Sequence, residues 1–266
     1  MGLGTPILQE IAEKLDRAEA TLVPIEPPSE NYPGMEMRDA YQIQWINASR
    51  AVRAQRLLLG YKVGLTSLEA QKHFKVFEPD YGHLFDHMVI SEEKPIDLSR
   101  LIQPKIEGEI AFVLGKDLKG PGISVAEAMR AIDHVTASFE IIDSRIRDWK
   151  ISALDTIADN GSSALYMLSG KKNKLDNLDL PHLGMALCRN NEVQVTACGA
   201  AVMGNPLNAV VFLANQLALH DRGLLAGEVI LSGSLGGMIP MKEGEHYSLE
   251  IQGLGRVSTY AERRSK

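Results

Sequence analysis

The chain reads QPKIEGEIAFVL over residues 103–114, and the alternation of side chains in this segment predicts a β-strand. In a strand, successive side chains lie on opposite faces of the sheet. One face then carries Ile106, Gly108, Ile110, Phe112 and Leu114. The other face carries Glu107, Glu109, Ala111 and Val113. The first face is apolar, so it is expected to pack against the core.

The second face brings two carboxylates close together. The α-carbons of Glu107 and Glu109 are separated by about 7 Å in a strand. Carboxylates at this spacing repel, and the repulsion raises the pKa of one of them. A divalent cation removes that cost, and Mg²⁺ and Mn²⁺ prefer oxygen ligands. The pattern fits either a metal site or the solvated edge of an ordinary strand, although Ala111 and Val113 indicate that this face is covered.

A second alternating segment, residues 135–143, carries another candidate ligand. Its apolar face consists of Val135, Ala137, Phe139 and Ile141. Glu140 lies on the opposite face, which is half apolar because it also carries Ile142. A single carboxylate in such a position is either a third metal ligand or a residue at an exposed strand end, and the pattern leaves both alternatives open.

The composition is that of an ordinary globular protein. The 266 residues are 45% apolar and 23% charged. A net charge of −6 and a pI near 5.7 disfavour a nucleic-acid partner. No apolar run approaches the roughly 18 residues of a membrane span, and we find no secretory signal, so a cytoplasmic protein is expected. The two cysteines, Cys188 and Cys198, are predicted to be reduced core thiols rather than a disulfide.

The distribution of helix and strand signals predicts two domains. Helices are predicted over residues 6–20, 38–58 and, after a capping box, 66–74. From residue 91 onward, strand signals dominate. We therefore predict an α+β protein with an N-terminal domain at residues 1–90 and a mixed, mostly β domain at residues 91–266.

Six segments, taken together and in order, resemble a known family. They are Lys62–Ser67, Glu78–Gly82, Gln103–Leu114, Phe139–Lys150, Asp155–Asn160 and Leu231–Leu235. These segments are similar to those of the 2-hydroxypenta-2,4-dienoate hydratases and their sister enzymes, the 4-oxalocrotonate decarboxylases, in the fumarylacetoacetate hydrolase superfamily. The resemblance covers nearly the whole chain. It implies a metal-dependent hydratase that converts 2-hydroxypenta-2,4-dienoate to 4-hydroxy-2-oxopentanoate in aromatic degradation by catechol meta-cleavage.

The resemblance also implies a fold and a set of partners. The fold is a fumarylacetoacetate-hydrolase-like mixed β-sandwich roll with a smaller, mostly helical α/β N-terminal domain. Family members assemble as homo-oligomers, often pentamers or decamers, and hydratase and decarboxylase associate with each other. Their substrates are small 2-hydroxy-dienoates or 2-oxo acids, so neither a nucleic acid nor a membrane is expected as a partner.

The resemblance assigns functional residues position by position. The ligands of Mg²⁺ or Mn²⁺ are Glu107, Glu109 and Glu140. The catalytic residues are Lys62, expected to act as an acid or base with a pKa lowered beside a dication in a dry strand, and Asp80, expected to orient the attacking water. The substrate-binding residues are Leu84, Asp155 and Ser162.

Three other functions, and ordinary structural roles for Lys62 and Asp80, are alternatives to the hydratase. Asp80 and the segment Arg147–Ile151 are typical of the hydratases, whereas the second serine of Gly161–Ser163 is typical of the 4-oxalocrotonate decarboxylases. A C–C bond hydrolase would need a His/Glu pair, for which the helix before the metal strand offers only His73. A non-catalytic partner subunit would not need the three glutamates. Without the family, Lys62 and Asp80 fit a surface lysine and a turn residue.

Overall fold

The structure, a computed structural model, describes residues 2–92 and 94–264. The helices are α1 (Thr5–Thr21), α2 (Pro28–Asn31), α3 (Met37–Arg53), α4 (Leu68–Phe74), α5 (Val125–Ala131), α6 (Ala153–Ala158) and α7 (Leu207–Ala218). The strands are β1 (Leu58–Gly64), β2 (Asp80–Phe85), β3 (Ile96–Asp97), β4 (Lys105–Leu114), β5 (Ile132–Ile142), β6 (Ser163–Leu168), β7 (Gly184–Arg189), β8 (Glu192–Cys198), β9 (Val229–Ser234), β10 (Ile239–Pro240), β11 (His246–Ile251) and β12 (Gly255–Glu262). This mixture of helices and strands confirms the predicted α+β class.

The strands form two sheets. The larger sheet has the order β2-β1-β9-β4-β5-β6, with β10 paired to β4. The smaller sheet has the order β3-β12-β11-β7-β8. Neighbouring strands are antiparallel except for β1 with β9 and β3 with β12. The two sheets are in contact where β4 meets β7 and where β5 meets β11 and β12.

The core lies between the two sheets, and one glycine permits their close approach. Ile110 and Phe139 of the larger sheet share this core with Leu249 and Val257 of the smaller one. A Cβ atom on Gly108 would lie 2.6 Å from the Leu249 side chain. A larger residue at position 108 would therefore force the sheets apart. The apolar face predicted for this strand is the face that packs in the sandwich.

The opposite face of β4 is covered as well. Ala111 belongs to an apolar cluster with Ala48 of α3 and Leu84 of β2. Both glutamates on this face are buried, Glu107 at 6% and Glu109 at 0% exposure. The solvated edge is therefore the wrong alternative for this strand, because α3 packs over this face of the sheet.

The N-terminal helices pack against the loop that follows β5. Helix α1 contacts α3, and α3 contacts α6. The apolar cluster of these helices includes Ile146 and Ile157. Helix α3 ends at Arg53 rather than at the predicted residue 58, because β1 begins at Leu58. The division at residue 90 stays a prediction; β1 and β2, which precede it, pair inside the larger sheet.

The cysteines are free, as expected, but they do not lie in the core. Cys188 is half-buried and Cys198 is exposed. Cys198 lies at the end of β8, an edge strand of the smaller sheet, which explains its exposure. Within residues 2–92 and 94–264, no helix combines the length and the apolar character that crossing a bilayer requires.

Candidate active site

Three glutamates from two adjacent strands converge in the larger sheet. Glu107 of β4 lies directly opposite Glu140 of β5 in the antiparallel register, and Glu109 follows two residues later on the same face of β4. Each offers a carboxylate oxygen, and these oxygens lie within 4.8 Å of one another. Glu140 is fully buried, so the exposed strand end is the wrong alternative for it. The strand alternation read from the sequence thus brings the three predicted metal ligands together.

The chemistry of the three carboxylates fits a hard divalent cation. One oxygen of Glu109 accepts a hydrogen bond from the Gly233 N–H at 2.7 Å. The other oxygen of Glu109 and the Oε1 atom of Glu140 have no hydrogen-bond partner among the described residues, although both are buried. Buried carboxylate oxygens without a donor are costly. Oxygen ligands to Mg²⁺ or a similar ion would satisfy them.

The electrostatics of the cluster support the same interpretation. Burial, followed by repulsion from Glu140, raises the pKa of Glu107 to about 7. The same two causes raise the pKa of Glu109 well above its ordinary value. The charge of Lys62 opposes both shifts but does not cancel them. The chain alone therefore leaves an excess of negative charge at this point, which a dication would neutralise.

Lys62 of β1 reaches into the glutamate cluster. Its Nζ atom lies 3.1 Å from Glu140 Oε2 and donates to the Gly161 carbonyl oxygen at 3.2 Å. Burial lowers the pKa of Lys62, but the charges of Glu140 and Asp80, together with the other two glutamates, outweigh burial and raise it. With the chain's own groups the shift is thus upward, opposite to the direction expected beside a dication. The surface-lysine alternative is wrong, since Lys62 is only 4% exposed.

Asp80 lies beside Lys62 because a glycine leaves room for it. Asp80 is buried and pairs with Gly64 across β1 and β2. A Cβ atom on Gly64 would lie 2.2 Å from Asp80 Oδ1 and 3.5 Å from the Lys62 side chain. Burial raises the pKa of Asp80, and the charge of Lys62 opposes this shift. The aspartate therefore faces the site rather than a solvated turn.

The loop after α6 supplies the next wall of the site. Asn160, Gly161 and Ser162 all have positive φ, between 54° and 61°. Non-glycine residues adopt this conformation only at a cost that the surrounding structure must offset. Here the conformation directs the Gly161 carbonyl to Lys62. Ser162 Oγ lies 3.2 Å from Thr156 Oγ1.

These residues surround one cavity of about 170 Å³. Its polar lining includes Lys62, Asp80, Glu107, Glu109, Thr156 and Ser162. Its apolar lining includes Leu65, Ala70, Phe74, Trp149, Ile151 and Met238. Among the described residues that line it, Lys62 alone carries a positive charge. The lining therefore combines charged, oxygen-rich side chains with uncharged apolar ones, as expected for a small acid with an apolar tail.

Two predicted substrate contacts are not brought to this cavity. Leu84 is fully buried in the apolar cluster between α3 and the larger sheet. Asp155 accepts hydrogen bonds from the backbone N–H and hydroxyl groups of both Ser29 and Ser152, so it caps α6 and attaches α2 to it. The positions of these two residues do not support the predicted contacts with substrate.

Sequence reasoning missed several residues that do line the cavity. Thr156, Trp149 and Met238 were not assigned a role, although the first two lie within or beside the matched segments. Gly64 lies within the matched segment Lys62–Ser67, and the sequence assigns it no role. Its function in admitting Asp80 depends on strand pairing, which a single sequence does not reveal.

Comparison with known proteins gives consistent matches over most of the chain. The family model described as fumarylacetoacetate (FAA) hydrolase C-terminal matches residues 59–260. The 2-keto-4-pentenoate hydratase of Paraburkholderia xenovorans (strain LB400) is 44% identical over 251 residues, which cover 94% of this chain and 93% of the relative. The 2-hydroxyhexa-2,4-dienoate hydratase of Comamonas testosteroni is 38% identical over 252 residues, or 94% of each chain.

A solved structure gives a close match to the fold. It is the 4-oxalocrotonate decarboxylase from Pseudomonas putida G7 in complex with magnesium and adipate. The TM-score is 0.94 at 35% sequence identity, and the match covers 97% of this chain and 98% of the decarboxylase. The sandwich and the helical N-terminal part are thus common to both chains.

Proposed function

The chain belongs to the fumarylacetoacetate hydrolase family, and from this premise we propose that it is a metal-dependent hydratase, a lyase of aromatic degradation by catechol meta-cleavage. The reaction adds water to 2-hydroxypenta-2,4-dienoate, the enol form of 2-keto-4-pentenoate, and gives 4-hydroxy-2-oxopentanoate. The observation that carries the proposal is the buried cluster of Glu107, Glu109 and Glu140 around Lys62. Relatives that are 38–44% identical over nearly the full chain are named as hydratases of such dienoates.

The three glutamates are the groups that would hold Mg²⁺ or Mn²⁺. Their unpartnered oxygens and raised pKa values support this assignment. When bound, the cation supplies Lewis-acid chemistry that lowers the energy of an enolate by several kcal/mol. The carboxylate and 2-oxygen of the substrate would lie at this end of the cavity, where Ser162 can donate a hydrogen bond to the substrate carboxylate.

Lys62 and Asp80 would act on the 2-oxygen of the substrate and on the attacking water. In the first step the 2-hydroxyl loses a proton and C5 gains one, which gives an unsaturated 2-oxo acid. The Lys62 ammonium stabilises the negative 2-oxygen as that proton leaves. In the second step water adds its hydroxyl to C4 and a proton reaches C3, so that the net change is one added water. Asp80, next to Lys62, orients the attacking water.

Decarboxylation of 4-oxalocrotonate is the second candidate function. The close structural match to a decarboxylase that holds adipate, a diacid, favours it. The lining of the cavity favours the hydratase. A second carboxylate would call for a second cation or several donors, whereas Lys62 is the only positive charge among the described lining residues and is already paired with Glu140.

A side-by-side assay tests the proposal. The protein is incubated with Mg²⁺ or Mn²⁺ and either 2-hydroxypenta-2,4-dienoate or 4-oxalocrotonate, with and without a chelator. Chelator-sensitive loss of the ultraviolet absorbance of the five-carbon dienoate, without release of CO₂, is expected. Turnover of the six-carbon diacid alone, with CO₂, would establish the decarboxylase instead. No turnover of either substrate would contradict both functions.

We also propose that the chain forms a homo-oligomer, a pentamer or decamer, and that it associates with its sister enzyme. The resemblance to the family supports this proposal. Light scattering of the isolated protein should give a mass at least five times 29.2 kDa. A monomeric mass at micromolar concentration would contradict it, and co-purification with the decarboxylase tests the second association.

A further inference from the structure

Trp149 forms a fixed wall of the cavity that the proposed mechanism does not use. It lies in the loop after β5, where Asp148 and Trp149 both have a φ of 55°. Gln103, just before β4, and Lys105, its first residue, hold the indole in two ways. Its N–H donates to the Gln103 carbonyl oxygen at 3.0 Å. The Lys105 ammonium lies 4.0 Å from the ring centroid, a favourable cation–π contact.

These contacts set the distance of the indole from the metal ligands. Lys105 precedes Glu107 by two residues on the same face of β4, which is a step of about 7 Å along the strand. The Lys105 side chain holds Trp149 at this end of the strand. A short dienoate with its carboxylate at the glutamates would span that step. The indole therefore stands where the tail of the substrate ends.

Most of the side chains that line the cavity together with the indole are apolar. Phe74, Ile151 and Met238 line the same cavity as Trp149. A planar indole held by two contacts cannot move aside as freely as a single flexible side chain. The length of the substrate tail is thus restricted here.

We propose that Trp149 is a specificity-determining residue that limits the substrate to 2-hydroxydienoates with a short tail. This inference rests on the proposed function and names the substrate class of the same site. In a filled pocket, one methylene changes kcat/KM by about 10–200-fold. Removal of the indole should therefore admit longer tails while it weakens contact with the short ones.

The test compares kcat/KM for 2-hydroxydienoates of five, six and eight carbons. In Trp149→Ala the ratio of the eight-carbon to the five-carbon value should rise by about tenfold or more. Trp149→Phe should raise it less. The matched control is Lys150→Ala, because the next side chain in the loop is 66% exposed and should leave the ratio unchanged. A merely structural role of Trp149 would lower all three values together, and an unchanged ratio would overturn the proposal.

A binding measurement keeps the inference testable if the alanine variant does not fold. The chain has two tryptophans, so Trp45→Phe leaves Trp149 as the single reporter. Saturated 2-oxo acids of increasing length are titrated in the presence of Mg²⁺ while Trp149 fluorescence is followed. Short acids should change the signal, and acids of eight carbons should bind at least about tenfold more weakly. Equal affinity would overturn the proposal.

Failure of this inference and failure of the proposed function give different results. If the wild-type protein turns over the five-carbon dienoate but the ratio is insensitive to position 149, only the role of Trp149 is refuted. If the wild-type protein turns over no dienoate at all, the proposed function is refuted and the inference is refuted with it.

Discussion

Two clusters of buried charged groups lie beside the loop at residues 159–163. They differ in whether the described residues supply a partner for every charged group. Arg145 and Asp159 form the first cluster, with Arg145 Nε 2.5 Å from Asp159 Oδ1. The remaining guanidinium nitrogens donate to the carbonyl oxygens of Asp143, Ser163 and Asp159. Every charged group in this cluster has a partner inside the protein.

The second cluster, formed by Glu107, Glu109, Glu140 and Lys62, is incomplete in the same sense. Three carboxylates face one ammonium, and two carboxylate oxygens have no hydrogen-bond partner among the described residues. Buried charge is retained in proteins when it is paired or when it binds a ligand. The first cluster is thus structural, whereas the second is arranged for a ligand. Four substitutions or additions can test that contrast.

The largest effect is expected at Glu109, within the incomplete cluster. Glu109→Gln removes one metal ligand and one buried negative charge. Since the Lewis acid is worth several kcal/mol, kcat/KM should fall by about 10³-fold. The midpoint of thermal unfolding without added metal should be unchanged or higher, because a buried carboxylate has been neutralised. A variant with activity within tenfold of the wild type would show that this cluster is not the active site.

The next largest effect is expected at Arg145, within the complete cluster. Arg145→Met leaves Asp159 buried without its cation, which should lower the free energy of unfolding by about 3–5 kcal/mol. The matched control is Arg147→Met, because its pair with Glu26 is about half exposed and contributes no more than about 1 kcal/mol. Chemical denaturation measures both. Equal, small losses in the two variants would remove the distinction between the clusters.

Addition of metal should stabilise the protein through the second cluster and not through the first, and this effect should be smaller than the two above. Mg²⁺ or Mn²⁺ at a hundred times its Kd should stabilise the wild type by about 2.7 kcal/mol. The same addition should stabilise Arg147→Met equally but Glu109→Gln much less. Thermal unfolding with and without a chelator provides the measurement. Equal stabilisation of wild type and Glu109→Gln would indicate that the cation binds elsewhere.

The contrast also explains how much of the site could be predicted from the sequence. Strand alternation, which is a local property, places Glu107 and Glu109 on one face of β4 but leaves the role of Glu140 open. Resemblance to the family assigns all three glutamates as metal ligands and adds Lys62 and Asp80. The pairing of β4 with β5, which brings Glu140 opposite Glu107, is seen only in the structure. The fold class was predicted in the same two ways.

The parts that could not be predicted depend on long-range contacts. Arg145 lies in a polar segment that resembles a solvated loop, but its side chain is buried and binds Asp159 and the Ser163 carbonyl oxygen, which lie beyond α6 in the sequence. Leu84 lies in a strand whose outward and inward faces cannot be distinguished before its neighbours are known. Helix α3 ends at Arg53, before the predicted residue 58, because strand pairing begins at Leu58.

The smallest effect is expected at Asp155. The family resemblance predicts that it binds substrate, whereas in the structure it accepts hydrogen bonds from Ser29 and Ser152. Asp155→Ala removes the acceptor for Ser29 and Ser152, so it should cost about 1 kcal/mol of stability, as for loss of a helix cap. The values of kcat and KM for the folded enzyme should not change, and Asp176→Ala, at an exposed position, is the control for stability. A rise in KM without loss of stability would instead indicate that Asp155 binds the substrate. The Asp155 carboxylate would then have to leave its position as a helix cap and reach the cavity during turnover. Helix α6 would in that case contribute a ligand-binding carboxylate as well as structural residues.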